Sequence, residues 1–176
     1  MSETPSPRPA RPASLPLVIG LGNEHRSDDR SGLDVARALR SPLEGKARVE
    51  ECTSEGIALL EVWRDADHVL VIDAVRSGAA PGTVHRIEPG DGSLPGFHSA
   101  TSTHGLSLSD AVTLARELGR LPRHLVVYGI EAGNLEVGVG LTPPVARGVE
   151  EVTARILSEL GANPGAEPAA RRPPHA

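Results

Sequence analysis

The sequence is poor in several residue types on which common functional sites depend. Its 176 residues include one cysteine, Cys52, which excludes an internal disulfide, a CxxC redox pair and a cysteine-rich zinc site. Aromatic residues make up 2% of the chain, so the core must be aliphatic and a base-stacking surface for nucleic acid is not expected. No apolar run approaches the roughly 20 residues that span a bilayer.

Charge and composition argue against nucleic-acid binding and secretion. The formal net charge is −5, whereas proteins that bind a phosphate backbone usually present a basic face. Residues 1–16 lack the apolar stretch of a signal peptide. We therefore expect a cytoplasmic protein with no nucleic-acid partner and no membrane association.

Both ends of the sequence differ in composition from the part between them. Residues 1–16 and 161–176 are rich in proline and show no periodic apolar face. Such segments cannot bury enough apolar surface to form a core, so we expect disordered N-terminal and C-terminal tails. Residues 17–160 then form a single α/β domain.

Strand-like and helix-like patterns alternate through this domain. Strands are predicted at 17–22, 47–52, 68–73, 83–87 and 125–130. Helices are predicted at 33–43, 57–63, 108–118 and 143–160. This alternation predicts an α/β fold, a three-layer sandwich with a mostly parallel central sheet flanked by helices. Sites in such sheets lie at the carboxyl ends of the strands.

Three polar clusters are predicted to lie at the carboxyl ends of the strands. The acid pair Asp28-Asp29 follows the first strand, Asp73 closes the third, and His104 precedes the third helix. Each has an ordinary explanation, such as a helix cap, a loop anchor or a surface histidine. Together, two carboxylates and one imidazole at one sheet edge predict a divalent-metal site. Three protein ligands leave positions open for water or substrate.

The Gly20-x-Gly22 turn permits a second interpretation, a nucleotide- or cofactor-binding α/β module. The third glycine of the dinucleotide fingerprint would fall at His25. Asp28 and Asp29 stand where a pyrophosphate requires positive potential. The residues fit this alternative less well than they fit a divalent-metal site, but they leave it open.

Four motifs occur in the order and spacing of one known family. They are Gly20-x-Gly22-Asn23 with Asp28-Asp29, Val71-Ile72-Asp73-Ala74 with Pro81-Gly82-Thr83, Thr103-His104-Gly105-Leu106 with Leu108, and Gly129-Ile130-Glu131 with Gly140-Leu141-Thr142-Pro143. On these motifs the sequence resembles the hydrogenase maturation proteases, endopeptidases that trim the C-terminus of [NiFe]-hydrogenase large subunits. The resemblance extends over residues 15–160.

The resemblance implies a catalytic and metal-binding set of Asp29, Asp73 and His104. It implies, as substrate and partner, a [NiFe]-hydrogenase large-subunit precursor that already carries nickel. The nickel in the substrate completes the ligand set, so that cleavage waits until the metal has been inserted. Other divalent metals could substitute for it. The resemblance also implies that the protease is a monomer.

Some roles remain open on the sequence alone. The metal could polarise the scissile carbonyl, lower the pKa of a water molecule, or only position the substrate. Asp28 could act as a base or support Asp29, and we favour support. Three places depart from the family pattern: Arg30 replaces a frequent glycine, Glu24-His25-Arg26 replaces commonly more apolar residues, and Ala132-Gly133 replaces a proline-containing stretch.

Overall fold

The computed structural model describes residues 14–53, 56–90, 94, 98, 107–138 and 140–161. The strands are β1 Leu17–Leu21, β2 Arg48–Cys52, β3 His68–Val75, β4 Val84–Ile87 and β5 His124–Glu131. The α-helices are α1 Ser31–Arg40, α2 Ile57–Val62, α3 Leu108–Glu117 and α4 Pro143–Gly161. A 3₁₀ turn, Ser27–Arg30, precedes α1. No helix in these ranges is long and apolar enough to cross a membrane.

The five strands form one sheet in the order β2-β1-β3-β5-β4. All neighbouring pairs are parallel except β4, which runs antiparallel to β5 at the edge. The predicted α/β fold with a mostly parallel sheet is therefore confirmed. In each parallel strand the carboxyl end lies at the same edge of the sheet, and this edge carries Asp29 and Asp73 of the candidate site.

Alternate strand residues face the two helical layers, which explains the short apolar runs in the sequence. The core beneath α2 and α3 includes the strand residues Leu17, Ile19, Val69, Val71, Leu125 and Val127. The core beneath α1 and α4 includes the strand residues Val18, Leu70, Ile72, Val126 and Tyr128. Both faces of the sheet are thus covered, as the three-layer prediction requires.

β3 continues beyond its predicted end at residue 73. Its pairing with β5 runs on to Val75, which lies opposite Glu131. Asp73 therefore lies inside the strand rather than after it. An acid after an apolar run is typical of a strand end, so the sequence predicts an end at residue 73, whereas backbone pairing with β5 keeps this acid within the sheet.

The segment between β4 and α3 is described in part. Residues 88–90, 94 and 98 have no regular secondary structure. Leu94 is buried in the core beneath α2 and α3, and the Arg76 amide donates to the carbonyl of His98 at 3.0 Å. His104 lies outside the described residues, as do the tail residues 1–13 and 162–176. Gly161, expected in the C-terminal tail, is the last residue of α4.

Helix α1 approaches the sheet closely because glycines lie at the contact. A Cβ atom at Gly20 would lie 2.2 Å from the carbonyl oxygen of Gly32. One at Gly32 would lie 2.3 Å from the carbonyl oxygen of Leu21 and 2.5 Å from that of Ile72. This contact sets α1, and the 3₁₀ turn before it, against the ends of β1 and β3.

We predict that Gly32→Ala destabilises the protein by about 3 kcal/mol, because the added methyl group meets backbone that cannot rotate away. Gly90→Ala is the matched control, since a Cβ atom there meets nothing within 4 Å. Urea denaturation of both variants measures the difference. Equal stability of the two variants would contradict the close packing of α1 on the sheet.

Candidate functional site

Asp29 is fixed in the 3₁₀ turn that follows β1. Its side chain is fully buried, at 0% exposure, and its amide donates to the carbonyl of Arg26 at 2.8 Å. Its own carbonyl accepts from the Asn23 amide at 3.3 Å. Gly22 has φ +147°, and a Cβ atom there would lie 2.1 Å from the Asp29 carbonyl oxygen. The second glycine of the Gly20-x-Gly22 turn therefore makes room for the backbone of Asp29.

Asp73 lies on the neighbouring element. It is fully buried in β3, and its backbone partner on β5 is Gly129. On the other side of β3, Gly20 of β1 pairs with Ile72, and the 3₁₀ turn contacts β3. The structure therefore places Asp29 and Asp73 on adjacent segments at the carboxyl edge of the sheet. Their role as metal ligands stays a prediction.

The donor chemistry of this edge fits part of a divalent-metal site. Carboxylate oxygens accept divalent cations, and these two come from different elements held by the core. Within the described ranges, no three His, Cys, Asp or Glu residues are grouped so that they could hold a metal ion. The two carboxylates thus need further ligands, and the expected third, His104, lies outside those ranges.

The carboxylate of Asp28 joins the segment before α1 to the loop between β5 and α4. Its Oδ2 accepts from the Gly133 amide at 2.9 Å, the Asn134 amide at 2.7 Å and the Thr142 hydroxyl at 3.0 Å. Its Oδ1 accepts from the Thr142 amide at 2.7 Å. The side chain is fully buried. Because loop donors occupy both oxygens, the structure favours a supporting role for Asp28 over that of a general base.

Arg30, which stands where the family often has glycine, is accommodated without strain. Its φ of −79° and ψ of −5° lie in the right-handed helical region, so no glycine is required there. Its Nε and Nη2 donate to the two carboxylate oxygens of Asp34 at 2.9 Å and 3.0 Å. The guanidinium group is thus directed along α1.

Glu131 is a buried carboxylate to which the sequence analysis assigned no role. Its oxygens accept from the Ser77 amide at 2.9 Å, the Ser77 hydroxyl at 2.8 Å and the Gly78 amide at 3.0 Å. The His85 Nε2 atom of β4 lies 3.3 Å from Oε2. Glu131 therefore anchors the turn that follows β3. The sequence feature that could have indicated a role for Glu131 is its place at the end of a strand, in the motif Gly129-Ile130-Glu131.

The hydrogen bonds to Glu131 influence its ionisation. Burial raises the pKa of its carboxyl group, but the hydrogen bonds from Ser77, Gly78 and His85 together outweigh burial, so the pKa lies below its ordinary value of 4.5. A carboxylate with a depressed pKa contributes stability above its unfolded-state pKa. That contribution is lost as the pH falls through the folded-state value.

We predict that Glu131→Gln lowers the free energy of unfolding at neutral pH by roughly 1 to 3 kcal/mol, because amide donors are left facing a weaker acceptor. The loss of stability below pH 4.5 should also be shallower than in the wild type. Chemical denaturation across this pH range measures both effects. Glu117→Gln, at an exposed position, is the control. An unchanged pH dependence in Glu131→Gln would contradict the anchoring role.

The packing of the two glycines also bears on the nucleotide-binding alternative. The space beside Gly20 is filled by the Gly32 carbonyl and that beside Gly22 by the Asp29 carbonyl. In a dinucleotide site such space lets the pyrophosphate approach the backbone. Here the glycines serve the contact between the sheet and its own chain, and among the described residues the space beside them is already filled.

Comparison with known proteins places the chain in a family. The model of the hydrogenase maturation protease family, HycI, matches residues 35–159. The chain belongs to this family. The matched residues include Asp73, His104 and Glu131, whereas Asp28 and Asp29 precede them. The chain is therefore a hydrogenase maturation endopeptidase, a hydrolase, as the resemblance implied.

Individual relatives agree with this assignment. The hydrogenase 2 maturation protease of Escherichia coli K12 is 31% identical over 148 residues, which cover 82% of this chain and 89% of that protein. The hydrogenase expression/formation protein HoxM of Azotobacter vinelandii is 32% identical over 160 residues, 88% of this chain and 76% of that protein. The solved structure of the hydrogenase maturating endopeptidase HybD from E. coli matches with a TM-score of 0.70 and 28% identity, covering 85% of this chain and 93% of that one.

Proposed function

We propose that this endopeptidase removes a C-terminal extension from a nickel-loaded [NiFe]-hydrogenase large-subunit precursor. Asp29, Asp73 and His104 recognise the nickel that the substrate carries. One observation carries the proposal: in a member of this protease family, two fully buried carboxylates lie on adjacent elements at the edge of the sheet where such folds bind ligands.

The electrostatics of the two aspartates support recognition of a cation. Carboxylates held out of water at one place repel each other, and a divalent cation offsets both charges. A set of two carboxylates and one imidazole contains no thiolate, so it should hold a free ion only modestly. Nickel delivered within the precursor brings its own protein ligands. Productive binding then requires the metal and the substrate together.

The proposal has further features, which come from the family resemblance. The protease carries no nickel of its own, and other divalent metals in the precursor can substitute for nickel. It acts as a monomer in the cytoplasm, on a precursor that is already folded or nearly so. Asp28 holds the loop beside Asp29 and takes no direct part in the chemistry.

We predict that Asp73→Asn and His104→Ala each abolish processing while the proteins remain folded, because each removes a ligand for the substrate's nickel. Loss of a C-terminal peptide from the nickel-loaded precursor is followed by mass spectrometry, and folding by thermal unfolding. His124→Ala is the matched control, since His124 is exposed at the opposite edge of the sheet. Full processing by either ligand variant would overturn its assignment.

We also predict that precursor lacking nickel remains uncut by the wild-type enzyme, because the ligand set is then incomplete. Loading the same precursor preparation with nickel should restore cleavage at a single bond. The two preparations are compared by mass spectrometry at equal enzyme concentration. Efficient cutting of metal-free precursor would exclude nickel as the recognition element.

A further inference from the structure

Two histidines lie side by side at the edge where the parallel strands begin, opposite to the edge that carries the aspartates. His68 is the first residue of β3 and His124 the first of β5, and the two are direct partners in the pairing of these strands. Their ring centroids lie 6.1 Å apart, with one ring edge-on to the other at an interplanar angle of 74°. Both imidazoles are therefore carried by strands of the core and lie next to each other.

A cavity of about 640 Å³ opens beside these two rings. Its wall includes both imidazoles, apolar side chains from the segment before β5 and from the end of α4, and charged groups of β4 and α4. A volume of this size accommodates an ion together with water molecules or a small ligand. At 3.3 Å per residue, the stretch of β3 from His68 to Asp73 is about 16 Å long, so this cavity is separate from the candidate active site.

The two imidazoles suit a metal ion better than an anion. Among the residues that the structure describes, neither ring takes part in a hydrogen bond. Burial and the neighbouring His124 together outweigh Glu159 and lower the pKa of the His68 imidazole, so this ring is neutral at neutral pH. A neutral imidazole offers a lone pair to a metal ion, whereas an anion is favoured by protonated rings.

The charged groups around the cavity do not oppose a cation. Arg86 donates to the carboxylates of Glu88 and Glu159, the latter at 2.8 Å. The Arg123 Nε atom lies 3.9 Å from the Asp67 carboxylate. Two guanidinium groups thus stand against three carboxylates, so these five groups carry a net charge of −1. A divalent cation meets a slight excess of negative charge here.

We propose that His68 and His124 bind one divalent transition-metal ion of the kind that imidazole prefers, such as zinc or nickel. Imidazole nitrogens bind such ions at about 2.1 Å, so two rings on one ion have centroids within roughly 6.5 Å of each other. The observed 6.1 Å meets this condition. With two protein ligands, water or a small ligand in the cavity completes the coordination. The ion joins the beginnings of β3 and β5, and no step of cleavage uses it.

The test is a titration with zinc chloride on the full chain without an affinity tag, in a His104→Ala background that removes one ligand of the proposed nickel-recognition set. We expect calorimetry to show one bound zinc ion and thermal unfolding to shift upward with zinc concentration, because the ion binds the folded state. His68→Ala and His124→Ala should each weaken binding at least tenfold, since even a partner outside the ligand shell costs about 10- to 100-fold in metal affinity.

His25→Ala is the matched control, because His25 has a side chain that is 80% exposed and lies in the loop after β1, at the other edge of the sheet. It should bind zinc as tightly as the parent protein. Because His68 is partly buried and its substitution also affects packing, a second measurement leaves both histidines in place. Zinc should shift the ring ¹⁵N NMR signals of His68 and His124 together in the parent protein.

Absence of zinc binding would overturn the proposal, and so would binding that survives both substitutions or leaves the two ring signals unmoved. None of these results depends on cleavage of a precursor. The proposed function and this metal site therefore stand or fall separately.

Discussion

Three carboxylates, those of Asp28, Asp29 and Asp73, are kept out of water at one edge of the sheet, and the arrangement of the site depends on how each is accommodated. Asp28 is satisfied by amide and hydroxyl donors from the β5–α4 loop. Asp29 and Asp73 lie on adjacent elements, where a cation can offset their charges. The Asp28 carboxylate thus holds the β5–α4 loop beside the segment that carries Asp29.

Close packing of α1 on the sheet places the 3₁₀ turn at this edge. Glycine at positions 20 and 32 lets α1 lie against β1 and β3, and glycine at position 22 admits the backbone of Asp29. A helix at an ordinary distance would leave the 3₁₀ turn farther from β3. The glycines that could suggest a nucleotide turn therefore serve the placement of the Asp29 carboxylate, to which our proposal assigns recognition of nickel.

Much of this architecture could be predicted because the central strands β1, β3 and β5 are short buried apolar runs and the longer helices each have an apolar stripe. The end of β3 was predicted too early because backbone pairing, which sequence patterns do not show, keeps Asp73 inside the strand. The partners of Asp28 and Glu131 could not be predicted, since their donors lie about 50 to 110 residues away along the chain.

The central claim is that the aspartates of this site bind nickel carried by the precursor. X-ray absorption at the nickel edge, on precursor mixed with protease and frozen before cleavage is complete, tests it directly. The account predicts that the wild-type enzyme adds oxygen and nitrogen ligands to the precursor's nickel and that Asp29→Asn adds fewer. An unchanged nickel spectrum in a mixture that goes on to cleave would contradict it.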